Sequence, residues 1–267
     1  MAHMARHEVA VRANIAFHTR QPPFDVFNVT PEQVVIEFEG REFVWHPNLE
    51  PGPEGEEWWP GVTVVVNDHN DYEEERELMH RFLSAVAYEL RQPVEVLAGG
   101  GSGVADPLAR PLPHANRRGF GDQVHEAPRG IEVTDDPRLR LVLGLYREGL
   151  NSESPFYRFL SFWNALDATF DNDKSRIEQF LDAEAPRHAG AFDYNPAPAN
   201  WHRYLYDSNR NAIAHAVRRP GKPLLDPDLP HDRSRLYRDS RLLERLVRTA
   251  VEQRWPRPVR RKRGFQP

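Results

Sequence analysis

Hydrophobic and polar residues alternate with a period of two in several short runs of the first hundred residues, as in half-buried β-strands. One segment, 71–91, instead carries apolar residues at helical spacing and predicts a single long helix. Between two of the runs, Glu39-Gly40 predicts a tight hairpin turn, since Gly adopts a positive φ without strain. The predicted strands are 8–17, 33–38, 41–45, 62–67 and 94–98.

Residues 5–98 are therefore expected to form an α+β domain, a twisted β-sheet with one long helix against it. The next segment, 99–130, begins with Gly99-Gly-Gly-Ser-Gly103, contains several prolines and lacks apolar periodicity. It is predicted to be a connector. A phosphate-binding loop is excluded because no Lys followed by Ser or Thr comes after the glycines.

After the connector, apolar residues recur with the helical period of about 3.6 residues, which predicts an all-helical bundle over 131–256. Asp135 or Asp136 can cap a first helix, Ser154-Pro155 opens a second, and 173–183 is expected to be a third, followed by a loop over 187–199. A fourth helix begins near Asn200, with Ser208 as an alternative start, and a last one is expected over 239–255. Residues 257–267 are expected to be a mobile basic tail.

Composition adds limits to this picture. The chain of 267 residues has no cysteine, which excludes disulfides and thiolate metal sites. It lacks an apolar stretch of the roughly 20 residues that span a bilayer, and also a signal sequence, so a cytoplasmic location is expected. The net charge is −5, yet residues 231–263 hold 12 Lys or Arg against 4 Asp or Glu. That basic region can follow phosphates or form an ordinary solvated surface.

Two segments resemble a known family. Arg210-Asn-Ala-Ile-Ala-His215 has the arrangement of Arg, polar residue, spacer and His found in HEPN domains (higher eukaryote and prokaryote nucleotide-binding domains). The segment from Ser154 to Asp167 is similar to the second helix of the Apea-like branch of that superfamily. The whole chain resembles bacterial proteins named as methylamine-utilisation accessory proteins of the J type, in which a β-rich half precedes a helical half. The resemblance implies a HEPN-like bundle.

In that superfamily, the motif implies cleavage of RNA, for example tRNA, without a metal or other cofactor. His215 would move a proton to or from the ribose and the leaving oxygen, because histidine titrates near neutral pH. Arg210 would stabilise the charge on the phosphate, and Asn211 would orient the imidazole or the phosphate. The products would carry 2′,3′-cyclic phosphate and 5′-hydroxyl ends.

Helical geometry adds a constraint. Five residues advance an ideal helix by about 500°, so Arg210 and His215 lie about 140° apart on one helix. A homodimer formed through this helix would bring side chains of both copies to one phosphate. Asp167 is expected to support Arg210, and Asp207 is a second supporting candidate. The arginines expected to contact nucleic acid are Arg203, Arg218 and Arg219.

A non-enzymatic function is the alternative. Many HEPN domains serve as dimerisation or nucleotide-binding modules, and the chain would then be an accessory protein of an amine-metabolism or defence locus. Arg210 and His215 would in that case only hold helices together. On either interpretation, no membrane association is expected. If the protein is an enzyme, the N-terminal domain would select the substrate or control access to it.

Overall fold

The computed structural model describes residues 13–19, 34–46, 57–58, 61–66, 72–91, 93–94, 96–102, 113–114, 130–133, 135–194, 196–214, 225–226, 228–256 and 259–261. The chain divides into two compact units. The first comprises residues 1–86, 94–132 and 261–267, and the second comprises 87–93 and 133–260.

The first unit has an α+β fold, as the two periodicities predicted. Its helix α1 is Tyr72–Leu90, whose last residues belong to the second unit. The strands are β1 (Ala13–Thr19), β2 (Val34–Phe38), β3 (Arg41–His46), β4 (Glu57–Trp58), β5 (Gly61–Val66), β6 (Val96–Ser102), β7 (Pro113–His114) and β8 (Gly130–Val133). The main sheet of this unit runs in the order β6-β1-β5-β3-β2-β8, and β4 pairs with β7 separately. Among the described strands, β2 and β8 pair in parallel, whereas the pairs β1–β5, β1–β6, β2–β3, β3–β5 and β4–β7 are antiparallel.

The β2–β3 hairpin confirms the predicted turn. Glu39 and Gly40 have φ values of 46° and 76°, the left-handed conformation that a two-residue hairpin turn needs. The turn brings Phe38 and Phe43 onto one face, where the ring of Phe82 from α1 stacks on Phe43 at 4.4 Å. All three rings are buried, so this aromatic cluster is the core between helix and sheet.

Strand β6 differs from the sequence prediction. It runs through Gly99, Gly100 and Gly101, which were assigned to the connector, and these glycines pair with β1. Glycine carries no side chain, so a strand of glycines leaves no alternating pattern, yet its backbone can still complete the hydrogen-bonded ladder. Strand β7 also falls in the segment 99–130, and β8 begins at its last residue, although most of that segment lies outside the described residues.

The described part of the second unit is mainly helical. The helices are α2 (Pro137–Asn151), α3 (Pro155–Thr169), α4 (Lys174–Ala189), α5 (Trp201–Leu205), a π-helical turn (Tyr206–Arg210), α6 (Asn211–Ala214) and α7 (Pro230–Arg254). A short strand, β9 (Val259–Arg261), follows in the segment that was predicted to be a mobile tail. Within the described ranges, no helix combines the length and apolarity that crossing a membrane requires.

Helix starts follow the predicted capping residues. The side chain of Asp136 accepts hydrogen bonds from the first backbone N–H groups of α2, and Asp173 does the same for α4. Helix α3 begins at Pro155, as predicted for the second helix, and buries Phe159, Trp163 and Leu166. Asn200 caps α5 through its side chain, so the helix begins there rather than after Ser208.

Two helices are longer than expected. Helix α4 continues through Pro186, because Ala185 and Ala189 on either side are buried and hold the last turn in place. Helix α7 begins at Pro230, nine residues before the predicted start. Its early inner face includes Asp232 and Asp239, and these polar residues interrupt the apolar stripe that marks a helix in sequence.

Gly149 on α2 predicts a difference between two glycine substitutions. A Cβ at Gly149 would lie 2.6 Å from the buried ring of Phe162, whereas one at Gly144 would meet nothing within 4 Å. We expect Gly149→Ala to lower the unfolding free energy by about 1 to 3 kcal/mol through overpacking. Gly144→Ala should leave it unchanged or raise it by up to about 1 kcal/mol. Urea unfolding followed by tryptophan fluorescence measures both, and equal effects would contradict the packing described.

Candidate functional site

A pocket of about 300 Å³ opens among α3, the turn that follows it, the start of α4 and the π-helical turn. Three aromatic or imidazole rings, two cations and one carboxylate line it. The cations are Lys174 and Arg210, and the carboxylate belongs to Asp167. The remaining lining residues are Trp163, Asn172, Ile177, His202 and Tyr206.

The π-helical turn is anchored by the carboxylate of Asp239 on α7, which is fully buried. The Asn209 amide of the turn donates to Asp239 Oδ2 at 2.8 Å. The hydroxyl of Tyr204 donates to the same oxygen at 2.8 Å, and the hydroxyl of Tyr194 donates to Oδ1 at 2.8 Å. These bonds join α7, α5, the turn and the preceding loop at one point.

Such an arrangement meets the requirements of a buried carboxylate. Burial of an anion costs a large free energy unless hydrogen bonds and an opposite charge compensate it. Three neutral donors surround Asp239, and the guanidinium of Arg238 lies 3.5 Å from Oδ1. Arg238 also sits over the ring of Tyr194, 4.3 Å from its centroid, so it is held beside the carboxylate from two directions.

Tyr206 is the centre of the pocket's ring contacts. The ring of His202 stacks on Tyr206 with centroids 5.4 Å apart and planes 17° apart. The guanidinium of Arg210 lies 5.6 Å from the centroid of the same ring, in cation–π contact. Trp163, whose side chain is buried, packs against Tyr206 from the core at 5.7 Å. The imidazole and the guanidinium are therefore both positioned by one ring.

His202 is also placed by a cap on its backbone. The carboxylate of Asp182 on α4 accepts the backbone N–H groups of Trp201 and His202 at 2.9 and 3.0 Å. The same carboxylate also accepts a hydrogen bond from the side-chain amide of Asn200 at 3.2 Å. These bonds fix the first turn of α5, while the imidazole of His202 remains directed to the pocket.

Asp167 and Arg210 attract each other across the pocket. Burial raises the pKa of the Asp167 carboxyl above its ordinary value, while the positive charge of Arg210, a hydrogen bond from Trp163 and the charge of Lys174 oppose the rise. The charged forms of Asp167 and Arg210 thus favour one another. The sequence placed Asp167 in support of Arg210, and the two side chains do line one pocket.

Three further predicted residues form a chain of polar contacts beside the pocket, namely Arg203 on α5, Asp207 on the π-helical turn and Asn211 on α6. The side-chain oxygen of Asn211 accepts a hydrogen bond from the Arg210 guanidinium at 3.3 Å, and the side-chain NH₂ of Asn211 donates one to the Asp207 carboxylate at 3.2 Å. Asp207 also pairs with the exposed Arg203 at 3.8 Å. Asn211 therefore orients the guanidinium of Arg210.

Comparison with known proteins adds one finding. Residues 142–252 match the model of the family described as methylamine utilization protein MauJ. The matched segment is less than half of the chain and contains Asp167, His202, Arg210 and Asp239. No curated protein and no solved structure matches the chain significantly.

Within the MauJ-like segment, the structure describes five of the eight residues predicted for the site. Arg210 and Asp167 line the pocket, and Asn211, Asp207 and Arg203 form the chain beside it. The other three, His215, Arg218 and Arg219, lie outside the described residues.

Six of the eight residues that line the pocket were not predicted for the site, and three of these six can contribute polar contacts or charge beside Arg210: Lys174, His202 and Tyr206. A signal existed for two of them. His202, Tyr206 and Arg210 follow one another at intervals of four residues, which puts them on one side of a helix. No sequence pattern indicated Lys174, because its position beside the pocket depends on the path of the turn between α3 and α4.

The Asp239 contacts predict a large loss of stability on truncation. Asp239→Ala leaves three donors without an acceptor, of which the Asn209 amide is fully buried and the two tyrosine hydroxyls are part-buried. At about 1 to 3 kcal/mol for the amide and about 1 kcal/mol for each hydroxyl, the unfolding free energy should fall by about 3 to 5 kcal/mol. Asp228→Ala is the matched control, since Asp228 is exposed. Chemical denaturation measures both variants. A loss no larger than that of the control would contradict the anchoring role.

The same contacts predict alkaline destabilisation. Burial raises the pKa of Tyr204 to about 12, and the charge of Asp239 and the hydrogen bond to it act in the same direction. A raised folded-state pKa contributes stability that is complete below the unfolded value of about 10 and is lost as pH rises further.

The unfolding free energy should therefore decrease between pH 10 and about 12, as far as the folded pKa of Tyr204. Tyr204→Phe should show a smaller decrease over this range, because the substituted ring cannot ionise. Tyr157→Phe is the control, as Tyr157 is exposed. Urea unfolding at each pH tests this, and an identical pH dependence in Tyr204→Phe and wild type would contradict it.

Proposed function

We propose that the helical unit is a HEPN-type endoribonuclease that cleaves RNA by transesterification without a metal and acts as a homodimer. The observation that carries the proposal is the shared pocket of Arg210 and Asp167. These two residues come from different helices, and the sequence resemblance points to both. Arg210, the first residue of the HEPN-like motif, lines a cavity and not a flat helix surface, which supports the proposal.

The charges of the pocket support a phosphodiester as the ligand. Lys174 and Arg210 give two cations against the single carboxylate of Asp167. A guanidinium held by an aromatic ring and by Asn211 presents a fixed fork, which suits the non-bridging oxygens of a phosphate. A volume of about 300 Å³ is at the lower end for small-molecule sites, and accommodates a phosphate with one ribose.

The proposed reaction balances without an added reactant. The ribose 2′-oxygen loses its proton and attacks the adjacent phosphorus, while the bond from phosphorus to the 5′-oxygen breaks and that oxygen takes up a proton. The products are a 2′,3′-cyclic phosphate and a 5′-hydroxyl. Arg210 stabilises the charge on the phosphate oxygens, and His215 performs one of the two proton transfers.

Dimerisation through the helix of Arg210 and His215 is part of the proposal. It would bring the motifs of two copies together, and the basic residues Arg203, Arg218 and Arg219 would extend contact along a structured RNA such as tRNA. The N-terminal α+β unit would then select the substrate or control access.

A second candidate function is nucleotide binding without cleavage, as an accessory protein. The match to the family described as methylamine utilization protein MauJ favours it, because that description refers to a metabolic process and not to RNA. Both candidates use the same cationic pocket. They differ in whether the bound phosphodiester is broken.

The proposal predicts that Arg210→Ala and His215→Ala each abolish RNA cleavage in the presence of a chelator. Both should keep a melting temperature near that of wild type, since polar pocket groups contribute little net stability. Labelled RNA oligonucleotides, incubated with equal amounts of each protein, measure the effect. Replacing the ribose 2′-hydroxyl by 2′-O-methyl should block cleavage by wild type as well.

Arg187→Ala and His231→Ala are the matched controls, because both side chains are largely exposed outside the pocket. They should cleave at the wild-type rate. Equal cleavage by all variants would indicate a contaminating nuclease and reject the proposal. Nucleotide binding that Arg210→Ala weakens, without cleavage by wild type, would favour the accessory function.

A further inference from the structure

The transesterification described above needs two proton transfers, one from the 2′-hydroxyl and one to the leaving 5′-oxygen. The two transfers take place on opposite sides of the phosphorus, so one copy of His215 can perform only one of them. A second group must therefore lie near the phosphate that Arg210 binds. In a dimer, a second copy of His215 is one source, but the pocket of a single chain holds another imidazole.

We propose that His202 is a catalytic residue that donates the proton to the leaving 5′-oxygen, so that one chain supplies both the phosphate ligand and the acid. This inference rests on the proposed ribonuclease function. His215 would then act as the base that takes the 2′-hydroxyl proton. The proton balance is closed, since one imidazole loses the proton that the 5′-oxygen gains and the other receives the ribose proton.

The position of His202 supports this role. Its ring and the guanidinium of Arg210 contact the same Tyr206 ring, at 5.4 and 5.6 Å, and both line the pocket. A phosphate held by Arg210 in a cavity of about 300 Å³ lies within reach of the imidazole. Proton transfer requires this kind of proximity before any other property.

The hydrogen bonding of His202 also differs from that of a structural histidine. Among the described residues, the hydrogen bond of His202 uses its backbone N–H, which donates to Asp182, and neither ring nitrogen has a partner there. His188, by contrast, has its Nε2 engaged with the Thr249 hydroxyl at 3.2 Å. Stacking on Tyr206 fixes the plane of the His202 ring while leaving both nitrogens available to a ligand.

Charged groups of both signs surround His202. Arg210 and Lys174 contribute positive charge from the π-helical turn and α4, and Asp167 and Asp182 contribute negative charge from α3 and α4. The two cations favour an anionic ligand such as a phosphate beside the imidazole.

The test uses two versions of one RNA oligonucleotide, with either oxygen or sulfur as the leaving 5′-atom at the mapped cleavage site. A thiolate leaves without being protonated, so an acid is needed only for the oxygen version. His202→Gln should cleave the oxygen substrate about 100-fold or more slowly than wild type. It should cleave the sulfur substrate within about tenfold of wild type, whereas His215→Gln should be slow on both.

His231→Gln is the matched control and should cleave both substrates like wild type. A loss from a merely structural role of His202 would lower both rates equally, and that result would overturn the inference. Cleavage of the oxygen substrate by His202→Gln at the control rate would overturn it too. If wild type cleaves RNA and Arg210→Ala does not, either of these two results rejects the role of His202 and leaves the ribonuclease proposal standing. Absence of cleavage by wild type rejects the ribonuclease proposal and this role together.

Discussion

The buried carboxylate of Asp239 is the interaction on which the helical unit depends. Three hydrogen bonds at 2.8 Å connect it to Tyr194, Tyr204 and Asn209. An anion in a protein interior is stable only when its oxygens are satisfied, so the three donors must stay where they are for the fold to persist. Since Asn209 lies in the π-helical turn, the same requirement fixes the backbone that carries Arg210.

The pocket follows from this constraint. A π-helical turn changes the direction in which neighbouring side chains project, and such turns recur at functional sites. Here Asn209 faces the core and is fully buried, while Tyr206 and Arg210 line the cavity. Tyr206 then positions His202 and Arg210 through ring contacts. The π-helical turn therefore serves both stability and the proposed chemistry. Its buried residue Asn209 anchors the turn, and the anchored turn holds Tyr206 and Arg210 at the pocket.

Local patterns were sufficient to predict the α+β fold of the first unit, the Glu39-Gly40 turn and the start of α3 at Ser154-Pro155. They failed where a partner distant in sequence decides the structure. Asp239 and Tyr194 are 45 residues apart, so neither helical spacing nor capping signals reveal their contact. The start of α7 was not predicted because the buried Asp232 and Asp239 interrupt its apolar stripe. Part of β6 was not predicted because its glycines carry no side-chain pattern. In the pocket, the resemblance led to Arg210 and Asp167. The four-residue spacing that links His202 to Tyr206 and Arg210 is visible in the sequence, but the structure was needed to show that one ring contacts both.

The most direct test of this account is a crystal structure of the protein with a 2′-O-methyl RNA dinucleotide, which can bind but cannot react. The account predicts the phosphate in the pocket, with a non-bridging oxygen on the Arg210 guanidinium and the 5′-oxygen facing His202. A dinucleotide bound elsewhere on the chain, with the phosphate remote from Arg210, would contradict it.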